Sequence, residues 1–273
     1  MSRKRLISKK TDDFYNNSSE EDRLNFGLGP LEFERNKYLI QKFLPGKNCK
    51  IIDLGGGTGK YSEWLANMGH SVWMIDPVEK HINLAQKRSD KLKNKFYVLQ
   101  GEALNLEFDD NFADMVIMHG PLYHMLEKST RIKAILEAKR VTKSNGIILG
   151  FAINYAASTL VGLLQGIIHD EDILKMCLSE LTTGIHNAPH NMPGILAEGY
   201  YHKPEELKAE FEQAGMDNMQ LFAVEGIIWL DKNYFSSRGD SKSYNNLLKI
   251  TEITETDTNL ISLSPHMMIA GCK

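Results

Sequence analysis

The sequence predicts an α/β fold, a doubly wound and mostly parallel sheet of seven strands with an inserted helical and loop lid. Three observations carry that expectation. First, the apolar run Lys50-Ile51-Ile52-Asp53 feeds a glycine-rich turn, Leu54 to Lys60, and a helix-like run to Met68. A buried strand, a turn free to take positive φ and a helix N-terminus together make a nucleotide-type site. Second, strand-like and helix-like segments alternate from there to Ile153, the rhythm of βαβ units. Third, that rhythm breaks over residues 155–202 and then resumes, which marks an insertion into a regular fold.

The elements follow in order. Residues 1–13 read as a mobile arm, and residues 1–30 together as an N-terminal arm or lid. Leu31, Tyr38, Leu39 and Phe43 share a helical face behind Pro30, a favoured first-turn residue. Leu44-Pro45-Gly46-Lys47-Asn48 ends that helix before the first strand. Ser71–Ile75 is a second strand ending in Asp76, Glu79–Asp90 a helix and Phe96–Leu99 a third strand. Asp114–Met118 is a fourth strand, Ser129–Val141 an amphipathic helix, Lys143–Gly146 a turn and Ile147–Ile153 a fifth strand. The insertion offers two helices, Ala156–Ile168 and Glu171–Leu181, then a loop rich in His and Pro. Pro204 opens another helix, closed by Gly215. Leu221–Val224 and His266–Ala270 form a final hairpin pair, with a smaller insertion (231–264) and a helix around Tyr244–Ile253 between them. All 273 residues thus read as one domain.

Composition narrows the function classes. Hydrophobic content of 42% and charged content of 25% are those of an ordinary globular chain. A net charge of −3 gives no global attraction to nucleic acid. Basic residues cluster locally at Arg3, Lys4, Arg5, Lys9 and Lys10, and at Lys87, Arg88, Lys91, Lys93 and Lys95, as a charged tail, a solvated helix face or an RNA-docking patch. Three widely spaced cysteines without a C-x-x-C fit a reducing compartment. No apolar run reaches the roughly 18 residues of a membrane span, and the first residues lack a hydrophobic signal core. The expected location is cytoplasmic.

The spacing of the glycine turn separates its ligand classes. A phosphate-binding loop needs G-x-x-x-x-G-K-[ST], but Leu54 stands at its first glycine and Tyr61 follows Lys60. A dinucleotide turn needs G-x-G-x-x-G, and Lys60 occupies its third glycine. The remaining pattern is an acid followed by alternate glycines, met by Asp53, Gly55, Gly57 and Gly59. This resembles the first motif of the Rossmann-like (class I) S-adenosylmethionine-dependent methyltransferases. The resemblance extends in order through Asp76 at the end of strand two, Gly101-Glu102-Ala103 after strand three, and His119-Gly120-Pro121-Leu122-Tyr123-His124 after strand four. It implies S-adenosylmethionine as cofactor, held by the glycines, by Asp76 and Pro77 at the ribose, by Glu102 and Ala103 at the adenine, and by His119. It also implies that Tyr15 is the tyrosine of an N-terminal lid. A carboxylate at Asp76 can accept ribose hydroxyls in any doubly wound fold, so that residue alone leaves a nicotinamide cofactor open.

Methyl transfer is an in-line displacement, so alignment is the protein's main task. A base is needed only where the acceptor must lose a proton. His119, Tyr123 and His124 follow strand four on the ligand-binding edge and are the catalytic candidates, with packing or solvation as the plainer role for each. His186, His190, Tyr200 and Tyr201 are the candidates to line an acceptor pocket, beside His202, Met176, Met192 and the apolar run Leu160–Ile168. His186 and His190 have metal-ligand spacing for a helix, but Pro189 between them argues against a helix, and no metal is expected. The expectation is methyl transfer to an oxygen or nitrogen of a small molecule. A tRNA-base methyltransferase and a non-catalytic S-adenosylmethionine-binding protein are the alternatives.

Overall fold

The computed structural model describes residues 7–189 and 195–273. The chain begins with α1 (Lys9–Asn17), α2 (Glu20–Arg23) and α3 (Gly29–Lys42). There follow β1 (Lys50–Leu54), α4 (Lys60–Asn67), β2 (Ser71–Asp76), α5 (Glu79–Asp90), β3 (Tyr97–Gln100) and β4 (Ala113–Met118). A single turn, α6 (Pro121–His124), leaves β4, and α7 (Lys128–Val141) leads into β5 (Thr142–Ile153). The insertion holds α8 (Ala157–Gln165), α9 (Glu171–Thr183), β6 (Ile185–Asn187) and β7 (Glu198–Tyr200). The chain then runs through α10 (Pro204–Gln213), β8 (Asp217–Ala223), α11 (Tyr234–Ser237), α12 (Ser241–Thr254) and β9 (His266–Cys272).

Seven strands form one sheet in the order β3-β2-β1-β4-β5-β9-β8. The first five are parallel, and β9 lies antiparallel between β5 and β8. The chain therefore moves outward from β1 in one direction and resumes at β4 in the other. That reversal opens a crevice at the carboxyl ends of β1 and β4, where doubly wound folds bind ligands. Burial on both faces explains the continuous apolar reading of β1. Ile51 packs with Leu39, Ile40 and Leu65 on one side, and Ile52 with Ala134, Ile135, Leu207 and Phe211 on the other. On the second side, buried Arg131 of α7 donates from Nε and Nη2 to Glu210 of α10 and from Nη1 to the carbonyls of Met125 and Leu126.

Three expectations change. The arm is helical from Lys9, because Ser8 caps α1 by accepting from the Thr11 N–H; Arg3, Lys4 and Arg5 lie outside the described residues. The His- and Pro-bearing loop is flanked by the antiparallel pair β6–β7, whose strands are too short to show a period in sequence. The expected turn at Lys143–Gly146 is a bulge inside β5: the register passes from Ala113↔Thr142 to Met115↔Ile147, and Asn145 has φ 63°. Among the described residues, no helix is long and apolar enough to cross a membrane. All three cysteines are free thiols, Cys49 and Cys177 buried.

Candidate active site

A cavity of about 490 Å³ lies over the carboxyl ends of β1, β2 and β4, and its walls divide into two halves. The glycine turn makes the first. Gly55 has φ 75°, and a Cβ there would stand 2.8 Å from the Gly120 nitrogen, so the turns after β1 and β4 touch through backbone alone. Gly57 has φ 58° and open space where a Cβ would point, on the cavity wall. Its N–H donates to Asp76 Oδ2 at 3.0 Å. Asp76 Oδ1 accepts from the Val78 N–H at 2.9 Å and lies 3.0 Å from His81 Nδ1. A carboxylate offers about four acceptor positions, so this one keeps capacity for a hydroxyl. Pro77, Glu102 and Ala103 line the same half.

The arm closes over this half. Tyr15 on α1 lies 2.8 Å by its hydroxyl from His124 Nε2, and its ring meets His81 edge-on at 4.8 Å. Lys80 holds the end of α1 by donating to the carbonyls of Tyr15, Asn16 and Ser18, where a helix C-terminus favours a cation. At the other end Ser8 donates to Glu198 of β7, and Lys10 to Asn187 of β6 at 3.2 Å. The arm and the insertion are thus tied to each other above the cavity.

The second half is aromatic and charged. The His119 ring is stacked between Tyr61 (centroids 4.2 Å apart) and Phe151 (4.6 Å). Its Nδ1 donates to Asp53 Oδ1 at 3.0 Å, while Asp53 Oδ2 accepts from Ser62 Oγ at 2.6 Å. Asn36 donates to the Tyr61 hydroxyl at 2.8 Å. Beyond them Arg23 donates from Nη1 and Nη2 to the two oxygens of Glu32, at 2.7 and 3.0 Å. His266 Nδ1 lies 2.6 Å from Glu225. Glu32, Glu225 and His266 each bring one ligand atom within 4.8 Å of the others, but Arg23, His266 and Ser264 already engage their carboxylates.

Burial and charge set distinct protonation tendencies. Burial opposes ionisation of Glu32, but the Arg23 charge and then His266 outweigh it and hold the acid at about 2. Burial likewise works against protonated His266, and Glu225 and Glu32 override it, raising that imidazole to about 9. Burial drives His124 down to about 4, assisted by His81. Burial also raises the Tyr15, Tyr61 and Tyr123 phenols, which therefore keep their protons at neutral pH.

Of the residues singled out in sequence, Tyr15, Gly55, Gly57, Asp76, Pro77, Glu102, Ala103, His119, Tyr123 and His124 line the cavity. Asp53 does not: it is fully buried behind His119. Gly59 does not either; it precedes α4 against Phe96. The insertion candidates are displaced. His186 is fully buried, its nitrogens 2.6 Å from Glu180 and 2.5 Å from the Leu196 carbonyl, with its ring stacked on Tyr201. The Tyr200 hydroxyl donates to Glu206 and its ring packs under Arg131. His202 is buried against Glu210. Met176 packs with Ile173 and Cys177, and Leu160 beside Trp229. These side chains build the lid from within, and Leu196 is the described residue of the insertion that reaches the cavity. His190 and Met192 lie outside the described residues.

Arg23, Glu32, Asn36, Tyr61, His81, Phe151 and His266 line the cavity without having been singled out for it in sequence. Tyr61 and His81 follow glycine-turn and strand-end motifs closely enough to have been suspected, whereas Arg23, Glu32 and Asn36 sit on helices with no motif. The second basic cluster is partly spent: Arg88 pairs with Glu63 and Glu21, and Lys95 with Asp90.

Known proteins resemble the chain in sequence and in fold. A family described as "Methyltransferase domain" matches residues 52–150, the stretch from β1 through most of β5. A ubiquinone biosynthesis O-methyltransferase of Pelagibacter ubique is 32% identical over 133 residues, 48% of this chain and 52% of that protein. A ubiquinone/menaquinone biosynthesis C-methyltransferase of Haemophilus ducreyi is 24% identical across 78% of this chain and 81% of its own length. The crystal structure of an S-adenosylmethionine-dependent methyltransferase of Thermotoga maritima covers 97% of this chain and 98% of its own at a TM-score of 0.58, with 16% identity, a likeness of fold. The chain spans about half the length of the first curated relatives it matches. The open cradle at Gly57, the acid at Asp76 and the second acid at Glu102 fit the donor of that family. The matched segment is thus a methyltransferase domain over residues 52–150, and the seven-stranded sheet with its glycine turn facing the crevice has the Rossmann-like fold of solved S-adenosylmethionine-dependent methyltransferases.

Proposed function

We propose that this protein transfers a methyl group from S-adenosylmethionine to an oxygen or nitrogen of a small organic acceptor, in the cytoplasm. The observation that carries the reading is the two-part cavity. Its glycine-turn half fits the cofactor, and its second half, walled by Tyr61, Phe151, Asn36, Arg23, Glu32 and His266, continues from it under one lid. A volume of about 490 Å³ suits small ligands.

S-adenosylmethionine, when bound, supplies a methyl group on a good leaving group. Gly55 and Gly57 let the backbone come close to it, Asp76 and Glu102 accept from its hydroxyls and amine, and Tyr15 covers it. The stack of Tyr61, His119 and Phe151 walls the place where a small acceptor would lie in line, and closure of α1 against the insertion excludes water. The O-methylating and C-methylating relatives differ in acceptor atom, so their names leave the atom to experiment. Unpartnered polar atoms at His119 and Asn36 in the second half favour oxygen or nitrogen, which bring a proton to donate.

The test is a screen of phenols, aliphatic alcohols, amines and transcribed tRNA with methyl-labelled donor. Label appearing in a small phenol or amine is the expected result. Label appearing only in tRNA, with turnover falling steeply as salt rises, would replace this reading by the nucleic-acid one.

A further inference from the structure

We propose that Nε2 of His119 takes the acceptor's proton, with buried Asp53 as its positioning residue, and that the acceptor's nucleophile is therefore a hydroxyl or an N–H amine. This deepens the methyltransferase reading and rests on it. Asp53 opens the glycine motif, where its expected task was to hold the cofactor, yet it is fully buried and does not reach the cavity. Both of its oxygens are engaged, one by His119 Nδ1 at 3.0 Å and the other by Ser62 Oγ at 2.6 Å. A carboxylate is an acceptor, so the neutral imidazole places its one proton on Nδ1 and presents a lone pair at Nε2. Nε2 is buried with no partner, on a ring that lines the cavity. Stacking of that ring between Tyr61 and Phe151 fixes the direction of the lone pair.

His81 repeats the arrangement, with Nδ1 3.0 Å from Asp76 Oδ1 and a buried, unpartnered Nε2, but it stands in the glycine-turn half against the Tyr15 ring, away from the Tyr61 and Phe151 walls. The remaining histidines and Tyr123 fit the task less well. Burial holds His124 at about 4, and its Nε2 is already paired with the Tyr15 hydroxyl. His266 is raised to about 9 by Glu225 and Glu32, against burial, and so keeps its proton at neutral pH. Burial raises Tyr123, which stays a phenol. A second unpartnered acceptor, the Oδ1 of buried Asn36, faces the same half through the Tyr61 link. Buried acceptors without donors on this wall call for a ligand that brings donors.

The step balances. The acceptor's X–H bond breaks, its proton goes to Nε2 and its electron pair forms the new X–CH₃ bond. The electrons of the old S–CH₃ bond stay with sulfur and neutralise the sulfonium. His119 then returns the proton to water once product has left. General-base help of this kind contributes about 10²–10⁴-fold.

The test reads the tautomer directly. The wild-type protein is labelled with ¹⁵N-histidine, and His119 is assigned by its absence in His119→Gln. At pH 7.5 the expected spectrum has Nδ1 protonated and Nε2 bare, with that preference lost in Asp53→Ala and weakened in Ser62→Ala. A proton on Nε2 in the wild type, in either the other tautomer or the cation, overturns the proposal. Calorimetry with S-adenosylhomocysteine on the same sample separates the two failures: no binding defeats the methyltransferase reading, whereas binding with the wrong tautomer defeats the dyad alone. With a turned-over phenol or amine from the screen, His119→Gln lowers kcat by about 10²–10⁴-fold while leaving S-adenosylhomocysteine affinity within about threefold. An unchanged kcat, or an acceptor methylated on carbon or on a thioether, overturns it.

Discussion

The two halves of the cavity are built by different means. The cofactor half stands on strand ends and on backbone: Gly55 and Gly57 offer no side chain, and Asp76 and Glu102 are fixed by where β2 and β3 stop. The second half gathers side chains from distant elements, with Arg23 from α2, Glu32 and Asn36 from α3, Tyr61 from α4, Phe151 from β5 and His266 from β9. The first is constrained by backbone geometry that any ligand of the class must meet. The second is set by charge pairing and stacking, which can be exchanged residue by residue without disturbing the sheet. A chain of this kind can therefore keep its donor while its acceptor changes.

That contrast makes graded predictions. The largest effect on the fold is expected at the buried pair behind the lid. Arg131→Ala leaves Glu210 without its cation and frees the carbonyls of Met125 and Leu126, at a cost of about 3–5 kcal/mol. Thermal unfolding would read this as a drop in Tm of many degrees, and a drop within one degree would show that the pair holds nothing.

Gly57→Ala comes next and acts on one half alone. Its φ of 58° strains any side chain by about 1 kcal/mol, and the methyl enters the cradle. Cofactor affinity measured by calorimetry is expected to fall at least tenfold with the fold retained. Asn36→Leu is the counterpart in the other half, raising acceptor KM while S-adenosylhomocysteine affinity stays within about twofold. If either variant weakened both ligands equally, the two halves would not be separable.

A smaller effect is expected with pH, and its two limbs have opposite signs. His266 is protonated to about 9 in the folded state, so its contribution is complete below the ordinary histidine value near 6.5 and is lost as pH rises towards 9. His124 is held at about 4, so the unfolded chain binds its proton first and stability falls as pH drops from 6.5 towards 4. Stability measured by urea unfolding is expected to peak near pH 6.5. His266→Gln flattens the alkaline limb and His124→Gln the acid one, and an alkaline limb unchanged in the first variant would remove the Glu225 and Glu32 pairing from the account. The smallest change is Tyr15→Phe, which loses one hydroxyl contact to His124 and costs about 1 kcal/mol of lid closure.

The same contrast explains what sequence could show. The strand ends and the glycine turn were legible because a parallel strand buried on both faces is an apolar run and a tight turn needs glycine. Asp76, Glu102 and His119 were found because each directly follows or ends such a run. Arg23, Glu32 and Asn36 were invisible because they lie on helix faces whose periodicity reports burial, not ligand contact. The insertion misled for the opposite reason. Its His186, Tyr200 and Tyr201 look like ligand-facing residues, but a short two-stranded unit has too little apolar surface for a core and buries polar aromatics through hydrogen bonds instead. Asp53 was expected to hold the cofactor but does not line the cavity, because its carboxylate turns to His119 and Ser62, a direction that no spacing in the sequence reports.

The central claim is that the glycine-turn half of the cavity holds S-adenosylmethionine. It is tested most directly by thermal shift of the wild-type protein with S-adenosylmethionine, S-adenosylhomocysteine, NAD and ATP, each in large excess. At about 100 times its dissociation constant a ligand adds about 2.7 kcal/mol, enough to move the midpoint by several degrees. The account predicts a rise with the first two and none with NAD or ATP, and loss of that rise in Gly57→Ala. A rise with NAD alone, or with none of the four, would contradict it.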